Sequence, residues 1–266
     1  MADLPVSIII PAHEPSEALH RCLAGVQAAA PPPCEVIVVV DGPNEDVGRL
    51  AARFGARVVR TEHQVGPAGA RNLGAQQARC ETLFFVDSDV LIPPDAVGQV
   101  RDAFRSAPEL SAIFGSYDDA PDAPGFVSQY KNLVHHYVHQ TAREDASTFW
   151  SGCGAIRRDV FLSLGGFDPA YDEPAIEDIE LGYRLRVAGH RIRLCKTLQV
   201  KHLKRWTLMS LLRADVSKRA LPWSALILKR GFIDDLNVTM ASRLCVVAIW
   251  LLLASVSYTH LRAHET

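Results

Sequence analysis

The chain has 266 residues, a formal net charge of −2, 48% hydrophobic residues and 22% charged ones. Such a composition fits one large globular domain, or one domain with an appendage, and excludes disorder as the main state. The six cysteines, Cys22, Cys34, Cys80, Cys153, Cys195 and Cys245, show no C-x-x-C spacing. That favours reduced, buried thiols in a cytoplasmic setting over a disulfide framework or a zinc site. An apolar strand begins at once with Val6-Ser-Ile-Ile-Ile10, with no basic or long apolar leader before it, so no signal peptide is expected.

In chain order, Val6–Pro11 reads as a short strand, and Ser16–Ala28 has helical apolar spacing with Ser16 as N-cap. The tripeptide Pro31-Pro-Pro33 breaks the chain. A second buried strand, Glu35–Val40, ends at Asp41-Gly42, and a short helix covers Asp46–Phe54. Arg57–Arg60 is a third strand, Pro67–Ala78 a helix rich in small residues, Thr82–Val86 a fourth strand and Pro94–Ala107 another helix. Continuous Val/Ile/Phe runs separated by helices predict an α/β fold: a mostly parallel central sheet flanked by helices. Beyond residue 108 the pattern loosens. It leaves a strand at Ala112–Ser116, a helix over 123–141, the segment Phe149–Arg157 and a helix from about Ile179.

Three features point to chemistry. Asp87-Ser88-Asp89 ends the fourth strand, and a buried strand that stops at two carboxylates presents them at the carboxyl edge of a sheet, where open α/β folds bind ligands. Such a pair can hold a hard divalent cation, which in turn can hold a diphosphate. Asp41 also stands at a strand end, where it can accept hydrogen bonds from a base or a ribose, although Asp-Gly is also an ordinary β-to-α turn. Arg71, in Gly66-Pro-Ala-Gly69-Ala-Arg-Asn72, can pair with a diphosphate or lie over the sheet with its stem buried.

The motifs Pro11-Ala-His-Glu14, Val40-Asp41-Gly42, Gly69-Ala-Arg71-Asn72, Asp87-Ser-Asp89, Glu177-Asp178 and Lys201-His202 recur in this order. Over residues 5–205 the chain resembles a family-2 glycosyltransferase with the GT-A fold. The resemblance implies transfer of a sugar from a nucleotide-diphosphate donor, with UDP as the family default, and inversion at the anomeric carbon assisted by Mn²⁺ or Mg²⁺. It further implies donor contacts from Pro11, Ala12, Glu14, Asp41, Arg71, Asp87 and Ser88, and metal contacts from Asp89 and the late histidine His202. One departure is visible, because the family string of two acids and a serine here reads Val40-Asp41-Gly42-Pro43, without the first acid.

Inversion needs one base to take the acceptor hydroxyl's proton, and the resemblance assigns this to Asp178. Acids in the first turn of a helix are also favoured by its dipole alone, which suits Glu177 and Glu180. Trp150, Gly152 and Glu177 are the expected acceptor contacts, since glycines beside an aromatic let a sugar lie flat against backbone and indole. His135 and His139 are spaced i, i+4 but lack the adjacent glutamate of a zinc-protease helix, so no metal is expected there. A nucleotidyltransferase would need a Gly-rich basic loop after the first strand, and Pro11-Ala-His-Glu14 is not one. A catalytically silent nucleotide-sugar-binding protein would not need both Asp89 and Asp178. No Gln-x-x-Arg-Trp signature of processive synthases occurs, which favours single-sugar transfer.

The charge is uneven. Residues 201–243 carry nine basic and three acidic residues, a net +6, leaving −8 for residues 1–200. This basic region, 206–243 beyond the catalytic domain of 1–205, leads into the apolar run Leu244–Val256. The combination predicts an interfacial region on the cytoplasmic face of a membrane, followed by the start of an anchor shorter than the roughly 20 residues a span needs. Basic residues without aromatic interleaving argue against a nucleic-acid partner. The expected partners are a nucleotide-sugar donor, a saccharide or lipid-linked acceptor and the membrane surface. Residues 257–266 resemble a translated sequencing-adapter tail and are set aside from the fold expectation.

Overall fold

The computed structural model describes residues 4–231, 235–236 and 239–263. Residues 232–234 and 237–238 of the basic region, and 264–266 of the tail set aside above, lie outside the described residues.

The first half is a parallel layer. Strands β1 (Val6–Ala12), β2 (Glu35–Val40), β3 (Arg57–Arg60) and β4 (Thr82–Val86) stand in the order β3-β2-β1-β4, all parallel. Their connections are α1 (Glu17–Gln27), α2 (Glu45–Arg53) and α3 (Gly66–Gln77). Side chains alternate across the sheet as a period of two requires. Ile8, Ile10, Val38, Val40, Phe84 and Val86 pack in one core with Leu19, Cys22 and Leu23 of α1 and Val47 of α2. Ile9, Ile37, Val39, Leu83 and Phe85 face the other way, onto Ala68, Ala70 and Ala75 of α3. Helix α1 begins where expected: the Ser16 hydroxyl accepts from the Leu19 N–H at 3.1 Å.

The second half is mixed. After the two-residue β5 (Val90–Leu91) and α4 (Ala96–Ser106) come β6 (Leu110–Tyr117), α5 (Phe126–Thr141), β7 (Asp145–Ala146) and β8 (Cys153–Arg157). They are followed by α6 (Arg158–Ser163), α7 (Glu177–Val187) and the twelve-residue β9 (Arg191–His202). Strand β8 runs antiparallel to both β4 and β6, β6 pairs parallel with β9, and β5 pairs antiparallel with the end of β9. The short strands β5 and β7, helix α6 and the length of β9 go beyond the sequence expectation.

The basic region is packed against this body. It forms α8 (Leu208–Arg213), a π-helical stretch at Ala214–Ala220 and α9 (Leu221–Arg230). The Trp206 N–H donates to the Ser128 hydroxyl at 2.8 Å, the Trp223 indole N–H to the Tyr183 hydroxyl at 3.4 Å, and Arg230 pairs with Glu180 at 2.9 Å. Trp223 and Leu226 join Ile176 and Tyr183 in a small core of their own. Helix α10 (Met240–Ala263) continues through the apolar run into the segment set aside above. Over Met240–His260 its mean hydropathy is 1.9, long and apolar enough by composition to cross a bilayer.

Candidate active site

Because β1, β2 and β4 are parallel, their carboxyl ends share one edge, which brings Ala12, Asp41 and Asp87 together although the sequence separates them. The Asp41 N–H donates to the Ala12 carbonyl at 2.8 Å, and the Asp87 N–H to the Gly152 carbonyl at 3.2 Å, which draws the segment before β8 to the same edge. The β5–β9 pairing sets Val90 opposite His202, and the Leu203 N–H donates to the Asp89 carbonyl at 2.8 Å. Fold topology therefore gathers the acidic triplet, His202 and Trp150-Ser-Gly152 in one place.

Asp41 is buried, and its carboxylate is already engaged. Oδ1 accepts from the Val65 N–H at 2.8 Å and the Thr61 hydroxyl at 3.2 Å, and Oδ2 from the Gly66 N–H at 3.0 Å. Helix α3 has no side-chain cap of its own, so Asp41 supplies the acceptor at its first amides. Pro11 is half-buried and Ala12 buried in β1, whereas Glu14 is exposed, 3.8 Å from His13. Ser88 lies half-buried between its two acids.

Arg71 is only 4% exposed. Its Nη1 donates to Glu177 Oε1 at 3.0 Å, its Nη2 pairs with Asp87 Oδ1, and its guanidinium lies over the Phe167 ring. Burial opposes the charge, but the two acids outweigh it, and the net shift holds Arg71 even more firmly protonated. Arg71, expected to face a diphosphate, is a buried cation paired with Asp87 and Glu177. Glu177, expected at the acceptor, is buried with both oxygens occupied, by Arg71 and by the Ala175 N–H at 2.9 Å. Asp87 itself is pushed up, by burial first and with a contribution from Asp89, against the pull of Arg71.

Asp89 Oδ2 lies 3.5 Å from His202 Nε2. The His202 ring is buried, stacks on Tyr117 at a 4.4 Å centroid separation, and its Nδ1 is 2.8 Å from the Asn132 carboxamide oxygen. The Asn132 oxygen accepts from Nδ1, which turns Nε2 toward the carboxylate. Burial alone would raise Asp89, yet His202 and then Lys204 outweigh it and the net direction is down. An oxygen and an imidazole nitrogen, the latter oriented by a buried amide, fit Mn²⁺ well and Mg²⁺ less naturally. Among the described residues no group of three or more His, Cys, Asp or Glu is disposed to hold a metal.

Asp178 is held differently. Its Oδ2 accepts from the Ser151 N–H at 3.2 Å and the Ser151 hydroxyl at 3.4 Å, and its Oδ1 from its own helix at the Ile179 N–H, 2.8 Å. Burial first, and Glu177 second, push its carboxyl up to about 7. Next to Ser151, the Trp150 indole lies over Gly152, where a Cβ would stand 2.7 Å from the ring. The missing side chain of Gly152 makes room for the Trp150 indole. Trp150 contacts Tyr117 and His135, with centroids 4.9 and 4.7 Å away. His135 and His139 pack tilted with centroids 4.0 Å apart; burial lowers both, His139 to about 4, so these rings are neutral packing partners at pH 7.

Tyr117, Asn132 and Ser151 are the site residues that sequence reasoning missed. Tyr117 ends the strand β6, so the rule that singled out Asp41 and Asp87 could have found it. Asn132 and Ser151 act through contacts 70 and 27 residues away, and carry no local signal.

The mixed sheet with its acidic strand end is that of the GT-A fold. The profile of "Glycosyl transferase family 2" matches residues 7–165, and the chain belongs to that family. It is 28% identical over 200 residues to the uncharacterized glycosyltransferase YaiP of Escherichia coli K12, covering 71% of this chain and 49% of YaiP. The chain thus spans about half the length of that curated relative. Among solved structures it resembles the mannosyltransferase PcManGT of Pyrobaculum calidifontis in complex with GDP-Man and Mn²⁺. There the TM-score is 0.63 and the identity 16%, with 78% of this chain and 59% of that one covered. S. aureus TarS 1-349 in complex with UDP-GlcNAc gives a TM-score of 0.61 at 19% identity, with coverage of 76% and 59%.

Proposed function

We propose that this chain moves a sugar from a nucleotide-diphosphate donor, expected to be a UDP-sugar, to a hydroxyl of a saccharide or lipid-linked acceptor, with inversion. The observation that carries the reading is Asp178: a half-buried carboxyl at the start of α7, pushed up to about 7 and bonded to Ser151 of the segment beside Asp87. A base poised near neutrality both ionises at working pH and retains proton affinity. In the step, Asp178 takes the acceptor hydroxyl's proton as that oxygen bonds to the anomeric carbon, and the bond to the diphosphate breaks with its electron pair leaving on phosphate oxygen.

Asp89 and His202 would hold Mn²⁺ or Mg²⁺, which when bound neutralises charge on the departing diphosphate. Arg71 fixes Asp87 toward the donor side, and Asn132 fixes the ring of His202. Asp41 holds the start of α3 beside the donor, and Trp150 walls the acceptor side. The family and the Mn²⁺ complex of PcManGT support the donor and metal assignments. Helix α10 and the basic residues before it support a place on the cytoplasmic face of a membrane, where envelope polysaccharide or glycolipid acceptors lie.

Calorimetry on the full chain in detergent, with UDP and GDP in the presence and absence of Mn²⁺, tests this. One nucleotide should bind only with metal, and Asp89→Ala should abolish that binding. Binding that ignores both metal and Asp89→Ala would overturn the metal assignment, and no binding of either nucleotide would overturn the donor site.

A further inference from the structure

Between α9 and α10, Asp235 and Leu236 pack against the catalytic body. Asp235 is buried, 7% exposed. Its Oδ2 accepts three donors: the Ser147 and Thr148 N–H groups, each at 2.5 Å, and the Thr148 hydroxyl at 2.9 Å. Its Oδ1 accepts from the Leu236 N–H at 2.8 Å. A carboxylate placed on consecutive amides fixes the backbone that carries them. The other side of that backbone is equally confined, since a Cβ on Gly182 of α7 would lie 2.6 Å from both Thr148 C and Phe149 N. Residues 147–149 are thus clamped between Asp235 and the helix that bears Asp178.

Three residues further on, Ser151 donates its N–H and hydroxyl to Asp178 Oδ2 at 3.2 and 3.4 Å. Bonds of that length weaken quickly when their donor is displaced. We propose that Asp235 is a positioning residue for the catalytic carboxyl: by fixing residues 147–148 it sets where Ser151 meets Asp178, and so ties the active site to the segment that leads into α10. Its catalytic consequence rests on reading Asp178 as the base, whereas the linkage itself does not.

Around Asp178 stand Ser151 from the clamped segment, Glu177 on its own helix, Arg71 on α3, Arg219 in the π-helical stretch and Tyr117 at the end of β6. Glu177 raises its pKa, while the Ser151 N–H, Arg71 and Arg219 lower it. Loosening the clamp weakens the Ser151 bond and leaves the three charged residues in place, so Asp178 should become harder to ionise.

The test is an NMR titration of the full chain in detergent, with aspartate carboxyl groups ¹³C-labelled and the Asp178 signal identified by its loss in Asp178→Asn. Asp235→Asn should move the Asp178 titration upward by about half a pH unit to one unit, and Thr148→Val, which removes one of the three bonds, by less. An Asp178 titration unmoved in both variants, with melting temperatures showing that they fold, overturns the proposal. If Asp235→Asn does not fold, Thr148→Val alone decides. If Asp178→Asn retains transfer while the titration still moves, the base assignment fails and the linkage stands.

Discussion

The parallel half and the mixed half solve opposite electrostatic problems. At the edge of the parallel layer Asp41 is held by the amides at the start of α3, and Arg71 is paired with Asp87 and with Glu177 of α7. In the mixed half Asp178 has a backbone N–H, a hydroxyl and its own helix amide as partners, with Glu177 pushing its pKa further up. A binding surface gains from fixed, fully paired charge, since each pair holds geometry. A base near neutral pH needs the reverse: burial with no cation bonded directly to it, so that its proton affinity survives.

Substitutions can break that contrast. The largest effect expected is from Asp178→Asn, which should lower transfer about 10²- to 10⁴-fold and leave nucleotide affinity unchanged. A parallel fall in affinity would mean that the two halves are not separate. Arg71→Ala leaves Asp87 and Glu177 as unpaired carboxylates, one of them buried, and should cost about 3–5 kcal/mol of stability in denaturant unfolding. A loss well below that would show that the acids find other partners. Asn132→Ala frees the His202 ring and should weaken Mn²⁺-dependent nucleotide binding by about tenfold, the low end for an outer partner of a metal-binding histidine.

The smallest effects are in pH. Transfer should rise with pH through about 7 as Asp178 ionises. Stability should run the other way. The folded-state pKa of Asp178 lies above its unfolded value, so its contribution is full below about pH 4 and is lost as pH rises through about 7. Melting temperatures should therefore show Asp178→Asn gaining on the parent between pH 5 and pH 8, and an equal gap at both would count against a raised carboxyl.

The two halves also differed in what the sequence disclosed. Strand ends in the parallel half could be read from buried Val/Ile/Phe runs stopping at Asp41 and Asp87, and the helix start at Ser16 from its cap. Strands β5 and β7 have two residues each and no period to detect. The alternation of β9 is masked by Arg191, Arg193, Lys196 and Lys201, which reach the surface from a strand whose inner face carries Ile192, Leu194 and Leu198. Trp150-Ser-Gly152 announced an aromatic beside a glycine, but not that the indole would occupy the glycine's own space. Asn132, Ser151 and Asp235 matter only through partners 70, 27 and 87 residues away, and no local pattern encodes such pairs. The basic region read as a membrane-facing appendage, while its packing on α7 depends on Trp223, Leu226 and Arg230 finding Tyr183, Ile176 and Glu180.

The most direct test of the central claim is to measure nucleotide binding and sugar transfer in one preparation of Asp178→Asn, with Mn²⁺ present and the donor fixed by the binding screen. The account predicts parental affinity with transfer reduced at least a hundredfold, the lower bound for losing a general base. Parental affinity with transfer intact would contradict it, and would move the base to another residue.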